Sequence, residues 1–133
     1  AEDMGMYQDD PLGDLGRLQA EMFRAVRLVV DTGMHAKRWS RERAIEYMLS
    51  KTGMTEAEVT REIERYVVWP GQATAYKVGQ LYMLRLRAMA ENQLGDAFDI
   101  REFHEMILMN GAMPLEILEE SVESWVETQK ALI

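Results

Sequence analysis

Tyr66-Val67-Val68-Trp69-Pro70-Gly71-Gln72-Ala73-Thr74-Ala75-Tyr76-Lys77-Val78-Gly79 is the stretch whose reading decides the fold. Proline restricts the residue before it and lacks a backbone donor, so Trp69-Pro70-Gly71 ends one helix. Pro70 also suits the first turn of a new helix, where no N–H is needed. The stretch therefore reads as a corner between two helices. On the second helix Gln72, Tyr76, Gly79 and Met83 are expected to share a face. Ala75 and Gly79, one turn apart, leave room for another backbone. An amide, a phenol and an ammonium (Gln72, Tyr76, Lys77) beside small residues resemble a pocket wall. The plainer alternative is a helical corner with an interfacial tyrosine.

Working outward, the same helical spacing recurs. Asp14 is a candidate cap for a helix carrying Leu15, Leu18, Met22, Val26 and Val29, widened by Phe23 and Val30. Gly33 is expected to end or loosen it. Ser40 opens a short helix with Ala44, Ile45, Met48 and Leu49, closed near Gly53. Thr55 and Glu58 form a capping box, and their helix buries Val59, Ile63 and either Tyr66 or Val67. After the corner, Leu81, Met83, Leu84 and Leu86 run to about Gln93. Asp99 and Glu102 suggest a second box, followed by Phe103, Met106, Ile107 and Met109. Pro114 opens a last helix with Leu115, Leu118, Val122 and Trp125. No alternating strand pattern competes with these periods. The expected class is all-α, about six helices, with residues 1–133 forming a single helical domain.

Composition narrows the function. The chain has 133 residues, 47% apolar, which suits one packed core. A formal charge of −8 without a continuous basic stripe argues against nucleic acid as a partner. The apolar runs are too short to span a membrane. Zero cysteines exclude disulfides, thiolate metal sites and a cysteine nucleophile, which fits the cytoplasm without demanding it. Eleven methionines suggest an adaptable, partner-facing side.

Only His35 and His104 carry imidazoles. Neither sits in a His-Glu-x-x-His pattern, and His104 is read as a surface residue, so no metal site is expected within the chain. If the helix persists past Gly33, Arg27, Asp31 and His35 lie one turn apart as a polar ladder, with Asp31 orienting the imidazole. If the helix stops there, His35 hangs in a loop and Arg27–Asp31 is a surface pair. Tyr66, Tyr76 and Tyr82 are the phenols able to donate to a developing oxyanion, each equally readable as a core or interface tyrosine.

Several segments together resemble a known family. Arg24-Ala25-Val26-Arg27-Leu28-Val29-Val30-Asp31-Thr32-Gly33-Met34-His35-Ala36 is one, and Arg65 through Gly79 is another. Gly5-Met6-Tyr7, Trp39-Ser40-Arg41-Glu42-Arg43-Ala44 and Asn110-Gly111-Ala112-Met113-Pro114-Leu115 complete the set. In order and spacing they resemble the C-terminal part of the bacterial "domain of unknown function 885" family. That family is similar to helical zinc peptidases. Its longer members carry a zinc motif beginning His-Glu, then Glu-Gly-Trp-Ala-Leu-Tyr-Ala-Glu, whose last two positions match Ala1-Glu2.

The resemblance implies that this chain is the C-terminal segment of a longer protein, a helical lobe on the substrate side of a zinc-peptidase-like fold. The zinc motif is not in these residues, so this chain alone is expected to be inactive. His35 and Tyr76 become candidates for stabilising the oxyanion. Gln72, Lys77 and Tyr66 become substrate-binding candidates, Lys77 for a terminal carboxylate. Arg27, Asp31 and Glu2 would support them from behind. No cofactor is expected in this chain, with zinc implied for full-length relatives. The implied partners are the missing metal-binding portion, or a second copy, and a peptide substrate. The alternative is a non-catalytic helical module for interaction or dimerisation.

Overall fold

Asp10, not Asp14, starts the first helix. Its carboxylate accepts from the Gly13 N–H at 2.9 Å, and Pro11 takes the position where no donor is needed. Asp14 lies inside the first turn and pairs with Arg17. The computed structural model describes residues 4–132. It holds α1 (Pro11–Lys37), α2 (Arg41–Lys51), α3 (Glu56–Val68), α4 (Ala75–Leu94), α5 (Ile100–Met109) and α6 (Leu115–Lys130). Two short 3-10 turns, Gln72–Thr74 and Gly95–Ala97, complete it, and no strand occurs among the described residues. The caps expected at Ser40 and Thr55 form, with the reciprocal box present at Thr55 and Glu58. Asp99 caps α5 through the Arg101 N–H, but the box expected with Glu102 does not form, and Asp99 pairs with the Arg101 side chain instead.

The chain divides into two compact units, Ala1–Val78 and Gly79–Ile133. In the first, Val26 and Val30 of α1 meet Ala44 and Met48 of α2, Val59, Ile63 and Tyr66 of α3, and Ala73. In the second, Leu86, Ala90 and Leu94 of α4 meet Phe103 of α5 and Leu118, Val122 and Val126 of α6. Phe103 sits edge-on to Trp125, with ring centroids 6.1 Å apart. The choice between Tyr66 and Val67 falls to Tyr66, since Val67 is half exposed.

The apolar stripe of α1 is only partly internal. Val26 and Val30 are buried, whereas Leu15, Leu18 and Met22 are 48–51% exposed. On α4, Leu81, Met83 and Leu84 are likewise exposed, and the buried row is Leu86-Ala90-Leu94 at four-residue spacing.

Gly33 does not end α1. The helix runs another turn to Lys37, then reverses through Arg38, a left-handed non-glycine residue with φ 56°. Trp39 folds back, donating its backbone N–H to the Gly33 carbonyl at 3.0 Å. A Cβ at position 33 would lie 2.7 Å from the Trp39 ring, so glycine is required there by close approach. Helix propensity alone would make Gly33→Ala stabilising by about 1 kcal/mol. Overpacking against the indole costs ~1–3 kcal/mol. Urea denaturation of Gly33→Ala is therefore expected to give a lower midpoint; a raised midpoint would show that Trp39 yields freely.

Candidate functional site

Because α1 persists past Gly33, Arg27, Asp31 and His35 stack at four-residue spacing, and the corner between α3 and α4 docks against them. Asp31 is 3% exposed, and both its carboxylate oxygens accept from the Gly71 N–H at 3.1 Å. A buried carboxylate needs such charge-assisted donors to offset lost hydration. Gly71 adopts φ 80°, and a Cβ there would meet open space, so the turn needs glycine for its backbone angle. Thr74 reinforces the turn by donating its hydroxyl to the Gly71 carbonyl at 2.7 Å.

His35 is exposed, and its Nε2 lies 3.0 Å from the Tyr66 carbonyl oxygen. A carbonyl only accepts, so Nε2 carries the proton and Nδ1 of the neutral ring is an acceptor. The expected Asp31–His35 bond does not form, since Asp31 is committed to Gly71. The three ladder residues instead each hold part of the corner.

Arg27 is 8% exposed. Its guanidinium carbon lies 5.2, 5.8 and 4.6 Å from the ring centroids of Phe23, Tyr66 and Tyr76. Tyr76 is 50% exposed and forms the outer wall of this cage. Tyr66 is buried, and its hydroxyl donates to Glu62 at 2.6 Å. Burial, then the Glu62 carboxylate beside it, holds the Tyr66 phenol far above its usual range. Arg65 pairs with Glu62 at 2.8 Å and donates to the Gln72 side chain, also at 2.8 Å.

The sequence-predicted residues are therefore distributed as follows. Tyr76 packs on Arg27, which lies two turns from His35 on α1, or about 12 Å along the helix axis. His35 reaches Tyr66 by its carbonyl, and Tyr76 through the shared Arg27. Gln72 lies on the 3-10 turn before α4, not on the α4 face, because helical geometry begins only at Ala75. Lys77 pairs with Glu21 at 3.0 Å. Glu2 lies outside the described residues. Glu62 and Arg65 were missed by sequence reasoning, although Glu62–Tyr66 and Glu62–Arg65 have the four- and three-residue spacings that signal such pairs. A cavity of about 400 Å3, lined by Gln19, Met22, Phe23, Lys51, Met54 and Glu58 among others, includes none of the predicted site residues.

Among the described residues no group of three or more His, Asp or Glu side chains is placed to hold a metal ion. Fold and site thus define an all-helical domain whose polar face is built on one helix and one glycine turn. The chain belongs to the family described as "Bacterial protein of unknown function (DUF885)", which matches residues 1–122. It is similar to the crystal structure of "the putative lipoprotein from Colwellia psychrerythraea", at 57% identity and a TM-score of 0.93. That match covers 96% of this chain but 22% of the other, so the chain spans under a quarter of that protein's length. A search of curated proteins finds no match.

Glu62 supplies a test of the network. Burial pushes its carboxyl up, but hydrogen bonds from Arg65 and Tyr66 bring it below the ordinary 4.5. A lowered folded value means stabilisation present above 4.5 and lost as pH falls through the folded value. Glu62→Gln is expected to be less stable than wild type at neutral pH, with the gap narrowing in acid. A gap independent of pH in urea titrations would show that the ionised carboxylate is not what holds Tyr66 and Arg65.

Proposed function

We propose that this chain is the substrate-side helical lobe of a peptidase-like protein of carboxypeptidase type, with the metal-holding part of longer family members lying outside residues 1–133. The observation that carries the reading is the polar face of α1. There a half-exposed phenol of the corner packs on buried Arg27 and an exposed imidazole is held by the Tyr66 carbonyl, while buried Asp31 pins the corner that carries phenol and carbonyl. Such bracing suits groups that must meet a substrate in a set orientation. Zinc, implied by the resemblance, fits no side-chain cluster among the described residues, so no step here runs through it.

Tyr76 is the donor in this reading. Its ring stacks on Arg27, and its hydroxyl gives a hydrogen bond to a peptide carbonyl oxygen that strengthens as the oxygen gains charge. His35 has a different part. With its Nε2 proton on the Tyr66 carbonyl, the neutral ring presents an acceptor at Nδ1 and donates there only as imidazolium. It steadies the corner and accepts a substrate N–H or a proton. Lys77 and Gln72, already paired to Glu21 and Arg65, line the approach.

A second reading, a non-catalytic helical interaction module, draws on the half-exposed Leu15, Leu18 and Met22 of α1. The same surface is where the rest of a longer polypeptide, or a second copy, would pack in either reading.

The test belongs in a longer family member that carries the equivalents of His35 and Tyr76. Tyr76→Phe there is expected to lower kcat about 100-fold with unchanged zinc content, the size seen on removing one oxyanion donor. Unchanged turnover would remove the phenol from the mechanism.

A further inference from the structure

Arg27 is the most unusual group in the chain. It is over nine-tenths buried, and among the described residues its Nε finds no hydrogen-bond partner. Burying a guanidinium donor unpaired is costly. The two nearest acids do not serve it. Asp31 gives both oxygens to the Gly71 N–H, and Glu62 takes Arg65 and the Tyr66 hydroxyl. The described neighbours of the guanidinium are instead the rings of Phe23, Tyr66 and Tyr76. Aromatic faces stabilise a cation without using its N–H donors, leaving the fork available. Phe23 and Tyr66 are part of the packed interior or pressed against it, whereas Tyr76 is half exposed. Of the three rings, Tyr76 is therefore the one on the solvent side with room to give way.

We propose that Arg27 receives a carboxylate, specifically the free C-terminus of a peptide. Carboxylate geometry matches the guanidinium fork with two parallel bonds. This assigns to Arg27 the role that sequence reasoning gave Lys77, which pairs with Glu21. The proposal rests on the peptidase-like reading for its ligand class, and it places the substrate terminus beside Tyr76, as release of a single C-terminal residue would require.

The test uses the 133-residue chain and a weak probe pair, N-acetyl-glycyl-glycine and its C-terminal amide. The Arg27 Nε–Hε resonance is followed by NMR and assigned by its loss in Arg27→Lys. The acid is expected to shift it with a Kd on the order of 1 mM, as suits one charge-assisted contact. The amide is expected to leave it in place. Equal shifts from acid and amide, or none from either, overturn the proposal. Because the readout is on the wild-type chain, it does not depend on a variant folding. It is also independent of turnover: a negative result here leaves the Tyr76 test standing, and failed turnover leaves this binding measurable.

Discussion

A single buried carboxylate sets the geometry of the first unit. Asp31 stands at the middle of a three-residue ladder on α1 and takes the N–H of a glycine forty positions further along the chain. That contact fixes where the corner after α3 lies against α1. The placement of the Tyr66 carbonyl over His35, of the Tyr66 ring beside Arg27 and of Tyr76 outside both follows from it. Neither partner is replaceable on simple grounds. A neutral side chain at 31 would weaken a charge-assisted bond, and any residue with a Cβ at 71 would be forced into a left-handed angle.

Packing and polarity divide the labour. The two cores are built mainly from aliphatic side chains, with Tyr66 buried in the first and Phe103 in the second. Against the first core the polar face is not a surface afterthought but a second layer. Arg65 and Tyr66 converge on Glu62, and Tyr66 faces Arg27, so charge on one side of the ring is matched on the other. Such linked groups resist reorientation because moving one leaves the hydrogen bonds of the others unmade.

Helix number, order and most caps were legible in the sequence because they depend on local rules. Ser40, and Thr55 with Glu58, behave as their spacing indicates, whereas Asp99 caps through Arg101 and not in a box with Glu102. Asp10 displaced Asp14 as the cap because Pro11 beside it fits the first helical position. Gly33 misled because glycine serves two purposes. It breaks helices by its freedom, but here it stays helical and makes room for Trp39, six residues on, which folds back over it past the left-handed Arg38. The corner was legible as a break at Trp69-Pro70-Gly71, while its 3-10 turn, which moves Gln72 off the α4 face, was not. The ladder Arg27-Asp31-His35 was visible as spacing. Its true bonding was not, because each residue's partner comes from forty or so positions away and sequence periodicity carries no long-range pairing. Family membership came from segment order and spacing, a signal independent of any of these contacts.

The most direct test of this arrangement is amide hydrogen exchange at Gly71. The residue lies in an exposed turn, where an amide without a partner exchanges at the rate of an unstructured glycine. Pinned to Asp31, the Gly71 N–H should exchange on the order of 100-fold more slowly than that, and Asp31→Asn should remove most of the protection while the amides of α3 keep theirs. A Gly71 amide that exchanges at the unstructured rate in the unaltered protein would contradict the docking of the corner on α1, and with it the placement of Tyr76 and His35 on a common face.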